Sequence, residues 1–189
     1  MASHAVHGSD PAMPYRIACL CDLRDAQGRV LLLHRRKNPN KDMYSPIGGK
    51  LDVVSGESPA QCARREILEE AGIDVPLSRL HLIGLVSETA YEGHGHWLMF
   101  VYRVLGPVWV EPREMNEGRL DWHPLGALAT LPVPESDRDV LWPLIERADG
   151  KGTIGHEVGG RRPGFFAVHI DCTGGRMTWA VEEETPPTP

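Results

Sequence analysis

Gly48-Gly-Lys-Leu-Asp-Val-Val-Ser-Gly-Glu-Ser-Pro-Ala-Gln-Cys-Ala-Arg-Arg-Glu-Ile-Leu-Glu-Glu-Ala-Gly-Ile73 is the stretch whose reading decides the fold. Its second half carries a helix with both ends marked. Ser58 suits the N-cap, Pro59 the first helical position, and Gln61 completes a capping box three residues after the cap. Gly72 is a natural C-terminal stop, so the spacing predicts a helix over Pro59 to Ala71. Ala60, Ala63, Ile67 and Ala71 recur on one face, which should pack on a sheet. Beside that face stand Glu66, Glu69 and Glu70, three and four residues apart and therefore neighbours. Like charges so placed each cost roughly 0.2–0.5 kcal/mol, and acidic groups near a helix C-terminus oppose its dipole. A hard divalent cation turns that repulsion into coordination, because magnesium prefers carboxylate and water oxygens. The helix alone equally fits a solvated acidic face with Glu66 or Glu69 paired to Arg65.

The flanking residues decide between the two. A Gly48-Gly49-Lys50 turn, a loop ending in Gly56-Glu57, and a helix closing as Arg65-Glu66-Ile67-Leu68-Glu69-Glu70-Ala71-Gly72-Ile73 together resemble the signature of the Nudix hydrolase family. The seven residues between Glu57 and Arg65 match the family spacing. One departure stands out: seven residues, Lys50 to Gly56, separate the second Gly from Glu57, where the family pattern has five. The resemblance implies that Glu66, Glu69 and Glu70 hold magnesium, with manganese as a substitute, and that the Gly48 carbonyl joins them. It implies that Glu57 pairs with Arg65 to brace the loop. It also implies an α/β (α+β) fold, an α/β/α sandwich around a mixed sheet, to which this chain adds a C-terminal β-hairpin. The expected reaction is attack of water on a phosphate anhydride in a nucleoside diphosphate linked to another group, such as a nucleoside triphosphate, nucleotide sugar or dinucleotide. Glu69 and Glu70 would be catalytic through the metal.

Outside the signature, Arg16 to Cys21 and Val30 to Leu33 read as strands joined by the Asp25 to Gly28 turn, a hairpin. Leu80 to Val86, Trp97 to Val104 and Leu120 to His123 read as further strands. Ser136 to Arg147 fits a second helix capped by Ser136. Phe165 to Asp171 and Met177 to Val181 suggest a late hairpin that either covers a sheet edge or meets a partner, making a homodimer conceivable. The domain is expected over 14–182, with flexible termini at 1–13 and 183–189.

Candidate bases lie in the acidic loop Glu111 to Arg119: Glu117 first, Glu114 close behind. Arg35 and Arg36 follow the second strand and, with Lys50, are candidate phosphate binders. His94-Gly-His96 lacks a third ligand nearby and reads as surface or strand histidines. Tyr91, Trp97 and Trp122 are candidates for stacking on a base, although strand aromatics are more often core.

Composition narrows the field. A net charge of −6 argues against a nucleic-acid polymer as partner. The four cysteines, Cys19, Cys21, Cys62 and Cys172, form no C-x-x-C pair and read as buried thiols of a reducing compartment. Neither a signal peptide nor an apolar run of about 20 residues is present, so a cytoplasmic location without membrane contact is expected. Two other functions compete. A prenyl diphosphate isomerase would use a cysteine, and Tyr44-Ser-Pro-Ile-Gly-Gly49 has none. A non-catalytic nucleotide sensor would tend to lose helix carboxylates, and this chain keeps them all.

Overall fold

The computed structural model describes residues 15–93, 95–149 and 162–188. The expected flexible start at 1–13 and His94 lie outside them. Nine strands form one mixed sheet: β1 (Tyr15–Asp22), β2 (Val30–Arg35), β3 (Tyr44–Lys50), β4 (Leu80–Thr89), β5 (His96–Val104), β6 (Arg113–Met115), β7 (Gly118–His123), β8 (Phe165–Asp171) and β9 (Thr178–Thr185). Their order is β6-β7-β2-β3-β1-β5-β4-β8-β9, with β1·β5 and β4·β8 parallel and the other pairs antiparallel.

The sheet is apolar on both faces because a helical layer covers each. In β2, Leu31 and Leu33 join Cys19, Cys21 and Ile47 in one core, against Cys62, Ala63, Ile67 and Ala71 of the signature helix. The alternate residues Val30 and Leu32 join Ile83, Val86 and Val101 in the other, against Val140, Leu141, Leu144 and Ile145. Strand alternation thus feeds two cores from one continuous apolar run. This is the expected α/β/α sandwich.

The signature helix runs as expected. Helix α1 (Pro59–Glu66) has Ser58 and Gln61 in a reciprocal capping box, at 3.3 and 2.9 Å. It continues as a π-type turn, Ile67–Ala71, ending on Gly72 in the left-handed region at φ 73°.

Four local expectations are corrected. First, β1 and β2 are not sheet neighbours: β3 lies between them and pairs with both, as Leu20↔Gly48 and Leu32↔Pro46. Only the base of their turn closes, through Arg24↔Val30. Second, Gly48-Gly49-Lys50 is the end of strand β3 rather than a turn, and Gly48, lacking a Cβ, lets the β1 backbone approach closely. Third, the acidic loop is a tight hairpin, with Glu114 in β6 and Glu117 at its turn before Gly118. Fourth, Ser136 does not cap the second helix. Its backbone is helical, the helix continues through Asp137–Leu141 into α2 (Trp142–Asp149), and its hydroxyl is bonded to Glu88 instead.

The C-terminal hairpin is present, and β8 covers the edge of β4. Its second strand is longer than expected. Glu183, Glu184 and Thr185, assigned above to a flexible tail, pair with Ala167, Phe166 and Phe165. Backbone pairing on an exposed edge tolerates those charges.

Candidate active site

The site is assembled from β3, the signature helix, the β6–β7 turn and the ends of β2 and β4. Glu66, Glu69 and Glu117 line one cavity of about 480 Å³, together with Gly48, Lys50 and Arg35. Behind it the Gly48 N–H donates to Glu70 Oε2 at 3.1 Å. Arg65 ties the frame together. It donates to both Glu57 oxygens at 2.8 and 2.9 Å, to Glu66 at 2.7 Å and to the Lys50 carbonyl at 3.1 Å. A longer contact of 3.4 Å reaches the exposed Glu69. The Arg65 guanidinium holds Glu57 below the usual carboxylate range. Glu57 also accepts from the Asp52 N–H at 2.9 Å. Glu57 of the loop and Arg65 of the helix are therefore joined by an ion pair.

Glu70 is almost fully buried. Burial pushes its carboxyl up to about 8. The Gly48 bond opposes this, while a bond from its protonated form to Glu117 and the charges of Glu66 and Glu117 add to it. Burial likewise raises Glu66, against the pull of Arg65 and with help from Glu69 and Glu117. The charges of Glu69 and Glu117 thus add to the rise at Glu66, and those of Glu66 and Glu117 to the rise at Glu70.

A model of the NUDIX domain matches residues 13–143. The chain belongs to the Nudix family. It is 35% identical over 124 residues to an oxidized purine nucleoside triphosphate hydrolase of Danio rerio, covering 62% of this chain and 72% of that protein. It is 29% identical over 116 residues to an uncharacterized Nudix hydrolase of Bacillus subtilis, covering 60% and 69%. Among solved structures, a MutT protein from Methanosarcina mazei superposes with a TM-score of 0.63 at 26% identity, over 76% of this chain and all of that one. The chain is accordingly a Nudix-type pyrophosphohydrolase. Among the described residues no helix is long and apolar enough to cross a membrane.

The Nudix carboxylates are not gathered as a ready cation cage: among the described residues no three His, Cys, Asp or Glu side chains form one. Glu66 is turned to Arg65, and Glu70 to the Gly48 N–H. The donor set still fits a hard divalent ion. It is all oxygen, it is of one charge, and the neighbouring carboxylates destabilise the ionised forms of Glu66 and Glu70. Gly49 makes room for it, since a Cβ there would stand 2.2 Å from Glu66 Oε1.

The remaining candidates separate cleanly. Arg35 lines the cavity and donates to the Pro39 carbonyl at 2.9 Å. Arg36 is exposed and paired with Glu114 at 2.5 Å; Arg119 stands 3.7 Å from the same carboxylate. Neither Arg36 nor Glu114 is among the cavity's lining residues. The Lys50 to Gly56 loop, two residues longer than the family pattern, is exposed from Asp52 to Gly56, and Asp52 Oδ1 accepts from the Val54 and Ser55 N–H groups. Lys50 stays on the cavity wall, its Nζ 6.0 Å from the Trp97 ring centre.

Tyr91 and Trp97 line the cavity, whereas Trp122 is core, donating from Nε1 to the Val110 carbonyl at 2.8 Å. His96 accepts from the Ala90 N–H at 3.2 Å. All four cysteines are free, with Cys19 and Cys62 in contact at 3.2 Å.

Sequence reasoning missed Glu88, Ser45 and Asp137, which also line the cavity. Glu88 left a trace: it falls two residues after the buried Val86, on the inward parity of β4.

Proposed function

We propose that this Nudix chain hydrolyses a phosphate anhydride of a nucleotide-type substrate with magnesium, or manganese in its place. The observation that carries this is the meeting of Glu66, Glu69 and Glu117 with Arg35 and Lys50 in one cavity, with Glu70 next to Glu117 behind them. Glu66, Glu69, Glu70 and the Gly48 carbonyl are the groups that would hold the cation. The bound cation would neutralise phosphate oxygens and make water more acidic. Arg35 and Lys50 bind the phosphates and orient them for in-line displacement. Glu117 accepts the proton of the attacking water as the new P–O bond forms and the bridging P–O bond breaks. Glu69 and Glu70 act through the cation and do not touch the water proton. Arg65 positions Glu66 and the loop carrying Lys50.

Glu114 is not given the base role, because its charge is engaged by Arg36 on the outer face of the hairpin. A panel of nucleotide triphosphates, dinucleotides and nucleotide sugars with magnesium or manganese, read by released phosphate or pyrophosphate, tests the reading. At least one should be cleaved, and a fully inert protein across the panel refutes hydrolysis. Loss of a positioned base costs roughly 10²–10⁴-fold. Glu117→Gln is therefore expected to lower kcat by at least about 10²-fold, with Glu114→Gln staying within about threefold. The opposite ranking would move the base to Glu114.

A further inference from the structure

Two cations converge on Trp97. The Arg16 guanidinium lies 5.3 Å from the centre of its ring and the Lys50 ammonium 6.0 Å. The sheet brings them together. Arg16 of β1 pairs with Trp97 of β5, and Lys50, the last residue of β3, pairs with Ala18 of β1. Arg16 and Ala18 are two residues apart, so all these side chains leave the same face of the sheet. Arg16 and Trp97 are half-buried and Lys50 is exposed.

Neither cation meets an oxygen. Among the described residues, neither side chain makes a hydrogen bond or an ion pair. Every other arginine of the strands has an acceptor: Arg35 the Pro39 carbonyl, Arg103 Asp22, Arg113 the Glu70 carbonyl and Arg119 Asp121. The chain has carboxylates to spare, 26 Asp and Glu against 20 Lys and Arg, yet none answers this pair. Glu88, opposite Trp97 on β4, stands on the other side of the indole from Arg16 and is bonded to Ser136 and Cys172. A cation–π contact holds each charge in place without neutralising it. Like charges drawn to one ring repel, and an anion between them turns that repulsion into attraction.

Their placement indicates which anion. Leu20, Ala18 and Arg16 follow one another along β1, the first two opposite Gly48 and Lys50. Arg16 is therefore about 7 Å further from Gly48 than the Ala18–Lys50 pair. Lys50 and Trp97 line the catalytic cavity, and Arg16 lies outside its lining. The pair thus sits at the rim, one step beyond the position of the reacting phosphates. A guanidinium fork matches two oxygens of a phosphate, and an ammonium takes a third as a point charge.

We propose that Arg16 and Lys50, framed by Trp97, form a second phosphate subsite, which takes a dianionic phosphate of the substrate outside the anhydride that is cleaved. Such a group comes from a phosphorylated ribose or from the end of a longer 5′ chain. The ligand class rests on the hydrolase reading, whereas the subsite is tested by binding alone.

The test is calorimetric titration of the full chain, with magnesium, using ligands that have no cleavable anhydride. These are the 5′-monophosphates, 2′,5′- and 3′,5′-bisphosphates and α,β-methylene diphosphates of adenosine and guanosine. A charge-assisted contact is worth about tenfold or more in affinity. At least one ligand with an added phosphate should bind about tenfold more tightly than its monophosphate. Arg16→Gln should remove that gain and leave the monophosphate within about twofold, which general damage to the site would not do. A gain confined to a bisphosphate identifies a ribose phosphate as the source, and one confined to the methylene diphosphate identifies the 5′ chain. Should Arg16→Gln not fold, Arg16→Met, which keeps an apolar stem against Trp97, replaces it with the same loss expected. Added phosphates that never tighten binding overturn the proposal. So does a gain that survives in the folded variant. If no anhydride is cleaved in the substrate panel, the hydrolase reading fails, and these titrations still decide the subsite.

Discussion

Glu70→Gln is expected to abolish cation-dependent turnover, by about 10²–10³-fold or more, while leaving the fold intact. The amide keeps the shape of the side chain and can still accept from the Gly48 N–H through its oxygen. It loses the negative charge that would hold a cation beside Glu66 and Glu69. The same change should alter the pH dependence of stability in the cation-free protein. Glu70 titrates at about 8 in the fold, far above the value near 4.3 of an unfolded chain. Between those values the folded chain holds a proton that the unfolded chain releases. The penalty is therefore absent below about pH 4, grows as pH rises, and is complete above about pH 8, at roughly 3–5 kcal/mol. Denaturation at pH 5 and pH 8 without divalent ions should show that loss in the unaltered protein and a flatter profile in the variant. Full activity in Glu70→Gln would remove the assigned cation site.

Gly48→Ala should produce the largest loss of stability. A Cβ at Gly48 would stand 2.1 Å from the Cys19 carbonyl oxygen, where β3 pairs with β1, and the residue has φ 153°. The obstacle is backbone in the middle of the sheet, so neither strand can yield without breaking the ladder. Strain and overpacking together are worth roughly 3 kcal/mol or more, or about 6–12 °C in Tm for a chain of this size. Gly49→Ala gives the contrast. The nearest atoms its Cβ would meet are those of the Glu66 carboxylate, from 2.2 Å, the far end of a side chain. That variant should fold nearly as well but lose activity, because Glu66 is pushed off the site. Equal melting temperatures for Gly48→Ala and the unaltered chain would contradict the close strand packing.

The comparison of these adjacent glycines shows what a sequence carries openly. The helix, its caps and its carboxylate spacing are local, and each is set within about four residues; all appear as read. The Glu57–Arg65 brace spans eight positions and was legible only through the family resemblance. The insertion of β3 between β1 and β2 was not legible, because Val30 to Leu33 is apolar on both faces and says nothing of its neighbour. Nor was the buried network in which Arg24 bridges Asp22 and Asp149, and Arg103 meets both. Burial alone would raise Asp22; Arg103 and Arg24 reverse this and hold it below the usual carboxylate range. Those four residues come from β1, its following loop, β5 and the end of α2, and only the completed topology joins them. Ser136 misled for a related reason: a serine before a helix is a cap by local rules, and a partner on β4 outbids that role.

The last strand has a consequence for how molecules of this protein meet one another. A sheet edge with open backbone groups is a template on which another chain can build, and β9 exposes every one of its residues, Trp179 and Val181 among them. Glu182, Glu183 and Glu184 lie along the same strand. Two such edges brought together would set like charges against each other at close range, and among the described residues only Glu184 has its charge answered, by Arg147. Salt that screens these charges should leave the apolar residues of the edge unopposed. Aggregation of the native protein at raised salt should then begin at β9.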